Sequence, residues 1–175
     1  RQIRIGSDAA EVQAYVSDSE VQASGALQID ADMAAVVDAT VVAGAASIGG
    51  GGTTGVGVSA AGVYAENNVR TLVRAYIDGN GLGTDAGSAI EAGSVTIAAE
   101  DASGINAVAG AAAIAFAFGG TAGVAVSIGI SLAFNQIDND VRAALDDSSI
   151  VRLGDLTILA RADGAIDALS VAAAV

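Results

Sequence analysis

Cysteine, proline, histidine, tryptophan and lysine are all absent from this chain of 175 residues. Without cysteine there is no disulfide scaffold and no thiolate metal site, although this alone does not fix the compartment. Large side chains are scarce, with three Tyr and three Phe. Basic residues are limited to seven Arg, which form no cluster, and the net charge is −13. A nucleic acid or an anionic membrane needs basic patches, so neither is expected as a partner. The acidic side chains instead keep a β-rich surface soluble and apart from its neighbours.

What remains is mostly Ala, Val, Ile and 23 Gly, and 53% of the chain is apolar. A core built from such small residues is thin and must be regular and close-packed to hold. A spacing repeats through it. Val12-Gln-Ala-Tyr15-Val16 returns as Val73-Arg-Ala-Tyr76-Ile77 and as Val141-Arg-Ala-Ala144-Leu145. Gly25-Ala-Leu27-Gln-Ile29 returns as Gly93-Ser-Val95-Thr-Ile97 and as Gly154-Asp-Leu156-Thr-Ile158. The period is 61 residues, or 68 where an insertion is carried. A fixed period denotes one supersecondary element stacked on copies of itself. Residues 1–175 read as one repeat array. The first repeat covers about 6–66, the second about 67–134 with a seven-residue insertion near 79–87, and a partial third about 135–175. Arg1 and Val175 both fall inside a repeat. The chain therefore reads as a window on a longer array, or as a subunit completed by its neighbour.

Each repeat has a polar half and an apolar half. The polar half alternates, as in Leu27, Ile29 and Ala31 with Gln28 and Asp30 between them. Period-two alternation of this kind predicts strands with one buried face. Gly25, Gly93 and Gly154 are expected at the corner before that strand. The apolar half carries no charge from residue 102 to 137, and only Asp38 from 33 to 65. Ile105 to Phe134 is long enough for a membrane helix, but Gly119-Gly120-Thr121-Ala122-Gly123 breaks it, as Gly49 to Gly52 breaks its counterpart. Val124, Val126, Ile128, Ile130, Leu132 and Phe134 share one parity, while Ala125, Ser127, Gly129, Ser131 and Ala133 fill the other. The separation of large from small follows period two, that of a strand. The strand before it has an alanine face, Ala107 to Ala117 at alternate positions. Alanine there lets another sheet approach closer than the usual ~10 Å. Each repeat is thus expected to supply two long strands joined by a glycine turn, and with both faces apolar, both are expected to be covered.

Few positions suggest chemistry. Asp38, Asn106 and Asp167 occupy one repeat position and read as corner residues hydrogen-bonded to turn backbone. Asp78-Gly-Asn80-Gly-Leu-Gly-Thr-Asp85 is a partial match to a calcium loop, with Leu82 at the fifth position and no bidentate Glu following. Asp78, Asn80 and Asp85 are therefore expected to form a surface turn. Paired acids occur at Glu100–Asp101 and Asp146–Asp147, but neighbours on a strand point to opposite faces. No enzyme is expected, and the sequence offers no catalytic, cofactor-binding or metal-binding residues. Thr53-Thr54 is too short to be the ranked threonine array of an ice-binding surface.

Val73-Arg-Ala-Tyr-Ile-Asp78, Ala92-Gly-Ser-Val-Thr-Ile-Ala-Ala99 and Ala122-Gly-Val-Ala-Val-Ser127 resemble the tandem repeats of leukotoxin-type and haemagglutinin-like giant filamentous adhesins of bacteria. The resemblance spans essentially the whole chain. It implies an all-β, elongated, β-solenoid-like tandem repeat with long Ala/Gly/Val-rich strands. It further implies a structural segment of an extracellular filament, sheath or adhesin stalk at the bacterial cell surface. The expected partners are further copies of the chain or flanking repeats, head to tail, with no nucleic acid and no membrane insertion. The alternative is a membrane-active, pore-forming or toxin-like surface protein that uses its apolar hairpins. Against that alternative, both parities of Ile105 to Phe118 are apolar, whereas a pore strand alternates a lipid face with a wet lumen.

Overall fold

A computed structural model describes residues 8–79 and 89–175. Every regular element among them is a strand: β1 (Ala10–Ser17), β2 (Val21–Gln22), β3 (Ala26–Met33), β4 (Val36–Gly51), β5 (Thr54–Asp78), β6 (Ala89–Asp101), β7 (Gly104–Gly119), β8 (Ala122–Asp146), β9 (Ser149–Ala162) and β10 (Ala165–Ala174). The protein is all-β. The charge-free stretch from Ile105 to Phe134 lies in β7 and β8, and no helix among the described residues is long and apolar enough to cross a membrane.

Strands pair in parallel with their own counterparts in the next repeat. β1 lies on β5 with Ala10 opposite Thr71 and Ser17 opposite Asp78, a step of 61. β3 lies on β6 with Ala26 opposite Ser94, a step of 68. β6 lies in turn on β9 with Ser94 opposite Asp155, a step of 61. The strand orders are β1-β5-β8, β10-β7-β4 and β2/β3-β6-β9. The Val175 amide donates to the Ala113 carbonyl while the Ala115 amide donates to that of Val175, the slanted pattern of parallel strands. Glycine is required less at corners than between repeats. Gly25 precedes β3, but Gly93 and Gly154 lie inside β6 and β9. The Gly93 amide donates to the Gly25 carbonyl at 2.8 Å. A methyl group on Gly154 would run into the Gly93 carbonyl.

Residues divide into two compact modules. The first comprises Arg1–Ala35, Val69–Gly104 and Ile137–Ala165, the second Val36–Asn68, Ile105–Gln136 and Ile166–Val175. Each repeat therefore contributes to both.

The first module follows the usual pattern of apolar inside and polar outside. Val73, Ala75 and Ile77 of β5 meet Ile90, Ala92, Val95, Ile97 and Ala99 of β6, with Ile29 and Ala31 of β3 completing the cluster. Intervening residues such as Gln13, Asp30 and Asp32 are exposed. Branched aliphatic residues suit this pleated, half-buried environment.

The second module inverts the pattern. Its core is Ala61, Val63, Ala65, Ala109, Ala111 and Ala113, flanked by Ala43, Ala45 and Ala133. The two strands of each bend are not a hydrogen-bonded hairpin, because β4 and β7 belong to one sheet and β5 and β8 to another. They stack face to face. Ser127 Oγ donates to the Ala113 carbonyl at 2.6 Å and Ser131 Oγ to that of Ala109 at 3.0 Å. A serine hydroxyl reaches the opposite main chain only where sheets lie well inside the ordinary ~10 Å separation. Towards the bend the gap closes further. Gly49 faces the Val56 carbonyl and Gly57 that of Phe116, each too close for a methyl group.

Two measurements check this division. Truncating fully buried Ile97 to Ala should cost about 2–5 kcal/mol in denaturant unfolding. Ala111→Leu or Ala113→Leu should each cost about 1–3 kcal/mol or more by overpacking. Ala112→Leu, on the exposed face between them, should stay within about 0.5 kcal/mol. Equal effects at 111, 112 and 113 would contradict the packed alanine interior.

Candidate interaction surfaces

Polar side chains at matching repeat positions meet each other and close on themselves. Asn106 Nδ2 donates to Asp38 Oδ1 at 2.8 Å. These residues therefore pair across neighbouring strands rather than with turn backbone as expected, and the neutral amide stands where a third carboxylate would repel. Asn67 Nδ2 donates to Asn135 Oδ1 at 2.8 Å. The Tyr15 and Tyr76 rings stack with centroids 5.2 Å apart and planes 8° from parallel. Arg70–Asp138 and Arg74–Asp140 bridge strands at 3.8 and 3.9 Å, and Arg142 and Arg161 hold Asp146 and Asp163 at 2.6 Å. All four ion pairs are solvent-exposed, so each is worth about 0–1 kcal/mol.

The members of each acid pair have different surroundings. Asp146 is engaged by Arg142, and Asp147 sits on a bend at φ 46°. Glu100 lies in β6 beside Asp101, which is buried. Asp101 Oδ1 accepts the Ser103 amide at 2.8 Å, and Ser103 Oγ accepts the Ala35 amide at 3.3 Å. Asp101 thus fastens the corner between β6 and β7. Among the described residues no three His, Cys, Asp or Glu side chains converge as metal ligands would. Of the partial calcium loop, Asp78 ends β5; Asn80 and Asp85 lie outside the described residues.

The unusual surfaces belong to the second module. On β5 and β8 the large side chains Val56, Val58, Val124, Val126, Ile128, Ile130, Leu132 and Phe134 are all exposed. Val42, Ile48, Val108, Ile114, Phe116 and Phe118 are exposed on β4 and β7. The parity of these residues is legible in the sequence, but they are uncovered where covering was expected. The overlooked signal is the opposite parity: it is mostly glycine, alanine and serine, with Val63 and Ile105 the larger buried exceptions, as suits two sheets that approach main chain to main chain. One edge of the face is polar. There Tyr64, Glu66, Asn67, Asn68, Phe134, Asn135 and Gln136 line a shallow depression of about 260 Å³. Tyr64 Oη donates to Glu66 Oε2 at 3.1 Å. That hydrogen bond, with some desolvation and the Glu66 charge, raises the tyrosine pKa above its ordinary value.

The chain matches no known protein-family profile, no curated protein and no solved structure.

Because a raised pKa means the neutral phenol is favoured, this bond persists at neutral pH and is lost as pH climbs through the Tyr64 titration. Glu66→Gln should move that titration down towards the ordinary tyrosine value. Phenolate absorbance in a chain whose other two tyrosines are Phe would show it, and an unmoved titration would refute the bond.

Proposed function

We propose that this chain is a structural repeat segment of an extracellular bacterial filament, sheath or adhesin stalk, built as a β-solenoid and extended by adding further repeats end to end. The observation that carries the reading is the parallel pairing of each strand with its own counterpart one repeat away. Val95 and Ile97 of β6, which has neighbours on both sides, are 2% and 0% exposed, whereas Leu156 and Ile158 at the same register of the edge strand β9 are 42% and 44% exposed. Leu169 and Val171 of β10 stand equally open. β8, β9 and β10 each end their sheets, as do β1 and β4 on the opposite edge. Open edges with unpaired amides and apolar side chains are adhesive. A further repeat, on the same chain or a second copy, satisfies both. Contacts of this kind join one edge to a different edge, so they propagate rather than close.

The resemblance to filamentous adhesins and the absence of any catalytic constellation in the sequence support the same reading, with the cell exterior as its location. A membrane-active role is the second reading. Its support is the uncharged outer face of β8, which from Val124 to Phe134 extends about 33 Å at ~3.3 Å per residue, close to the ~30 Å of a bilayer interior. Against it, both parities of Ile105 to Phe118 are apolar, whereas a pore strand alternates a lipid face with a wet lumen.

Residues 1–175 should associate in a concentration-dependent way in sedimentation, and should still do so at high salt, because apolar packing and main-chain bonds carry the contact. Leu156→Lys with Ile158→Lys should leave the chain folded and abolish growth. A wild-type chain that stays monomeric at high concentration would overturn the proposal.

A further inference from the structure

We propose that the outer face of β5 and β8 is a second, lateral interface, and that its occupant is the same face of another copy. The inference extends the filament reading by giving it a sideways contact, distinct from growth at the strand edges.

The argument begins with relief. Outward positions on β8 carry Val124, Val126, Ile128, Ile130, Leu132 and Phe134 without interruption, whereas β5 is large at Val56, Val58 and Tyr64 but small at Ala60 and Gly62. The two strands are neighbours. Asn67 bonds to Asn135 and Arg70 to Asp138, a step of 68. At that step Ala60 lies beside Ile128 and Gly62 beside Ile130. Consistent with this, the space above Gly62 holds nothing nearer than the Ile130 carbonyl at 3.9 Å. A ridge two isoleucines long therefore runs directly alongside a hollow of equal length.

A two-fold axis in the interface, parallel to the strands and midway between β5 and β8, exchanges the two columns and keeps their heights. It sets Ile128 and Ile130 of each copy over Ala60 and Gly62 of the other. Self-complementarity of this kind defines an isologous contact. No charge lies on the face between Val56 and Tyr64 or between Val124 and Phe134, so burying it strands no ion. A lipid surface has no use for the hollow.

Size sets the behaviour. Eleven residues at ~3.3 Å by two strands at ~4.8 Å give roughly 350 Å² per copy, below the ~800 Å² per partner of a stable interface. The contact is therefore weak for one chain. It strengthens when end-to-end growth lines up several such faces, so filaments pair where single chains do not.

The test uses Gly62→Leu, which fills the hollow while making the face more apolar, and Ile128→Glu, which charges the ridge. Electron microscopy and cross-sectional scattering read filament width, and sedimentation reads end-to-end growth. Paired wild-type filaments that become single in both variants, with growth unchanged, support the interface. Single wild-type filaments, or pairs that persist or increase in Gly62→Leu, overturn it. If no filament forms, the filament reading fails on its own. Sedimentation of concentrated single chains then decides: a weak dimer at least tenfold weaker in Gly62→Leu supports the face, and an unchanged or absent dimer overturns it. Co-sedimentation with phosphatidylcholine vesicles that Gly62→Leu enhances would identify lipid as the occupant and also overturn it.

Discussion

Parallel main-chain pairing at a step of one repeat governs everything else in this protein. It sets each residue beside its own counterpart, so a chemistry chosen once is laid beside itself. For aliphatic residues this is favourable, and Ile29, Ile97 and Ile158 form one column. For tyrosine it gives the parallel rings of Tyr15 and Tyr76. For charge it is costly, because like charges directly opposite repel. At several positions the chain lowers that cost by changing residue from one repeat to the next, although Asp32 still stands opposite Glu100. Asn106 follows Asp38, and Asp138 follows Arg70. Departures from the repeat are thus as much a product of the pairing as the repeat itself.

The same pairing acts on two cross-sections that solve burial differently. In the first module, sheets are held apart by Val, Ile and Leu, and the outward residues are polar. In the second, they are held together by alanine methyls, glycine backbone and serine hydroxyls bonded to opposing carbonyls. Apart from Val63 and Ile105, large apolar residues are displaced outward. The resulting exposed faces are not a surplus of hydrophobicity over a normal core. They follow from an interior given over mostly to the smallest residues. Contiguous exposed apolar faces are often sites of interaction, which is the ground for the lateral contact proposed above.

Much of this was legible in the sequence. Strand type followed from period two, and the breaks at Gly49–Gly52 and Gly119–Gly123 separated β4 from β5 and β7 from β8. The facing direction was not legible, because with both parities apolar hydrophobicity cannot choose between them. Steric need makes that choice: Gly49 and Gly57 must face inward, where another main chain passes too close for a Cβ. Likewise, side-chain pairing of Asn106 with Asp38 depends on which strands adjoin, something a repeat position alone does not specify. Asp101 was hidden for a different reason. Its counterparts are Met33 and Ala162, so its buried corner role belongs to one repeat and leaves no periodic trace.

The alanine–glycine–serine interior also has a thermal consequence. The heat capacity of unfolding rises with apolar surface exposed and falls with polar surface exposed. Opening the second module would uncover mainly methyl groups and peptide units, while its largest side chains already face water. Its heat-capacity change per residue should therefore be smaller than that of the first module, whose interior is branched aliphatic. A small change flattens the dependence of stability on temperature. Two halves of one repeat, joined through continuous strands, would thus respond unequally to cooling, with the methyl-lined half the less sensitive.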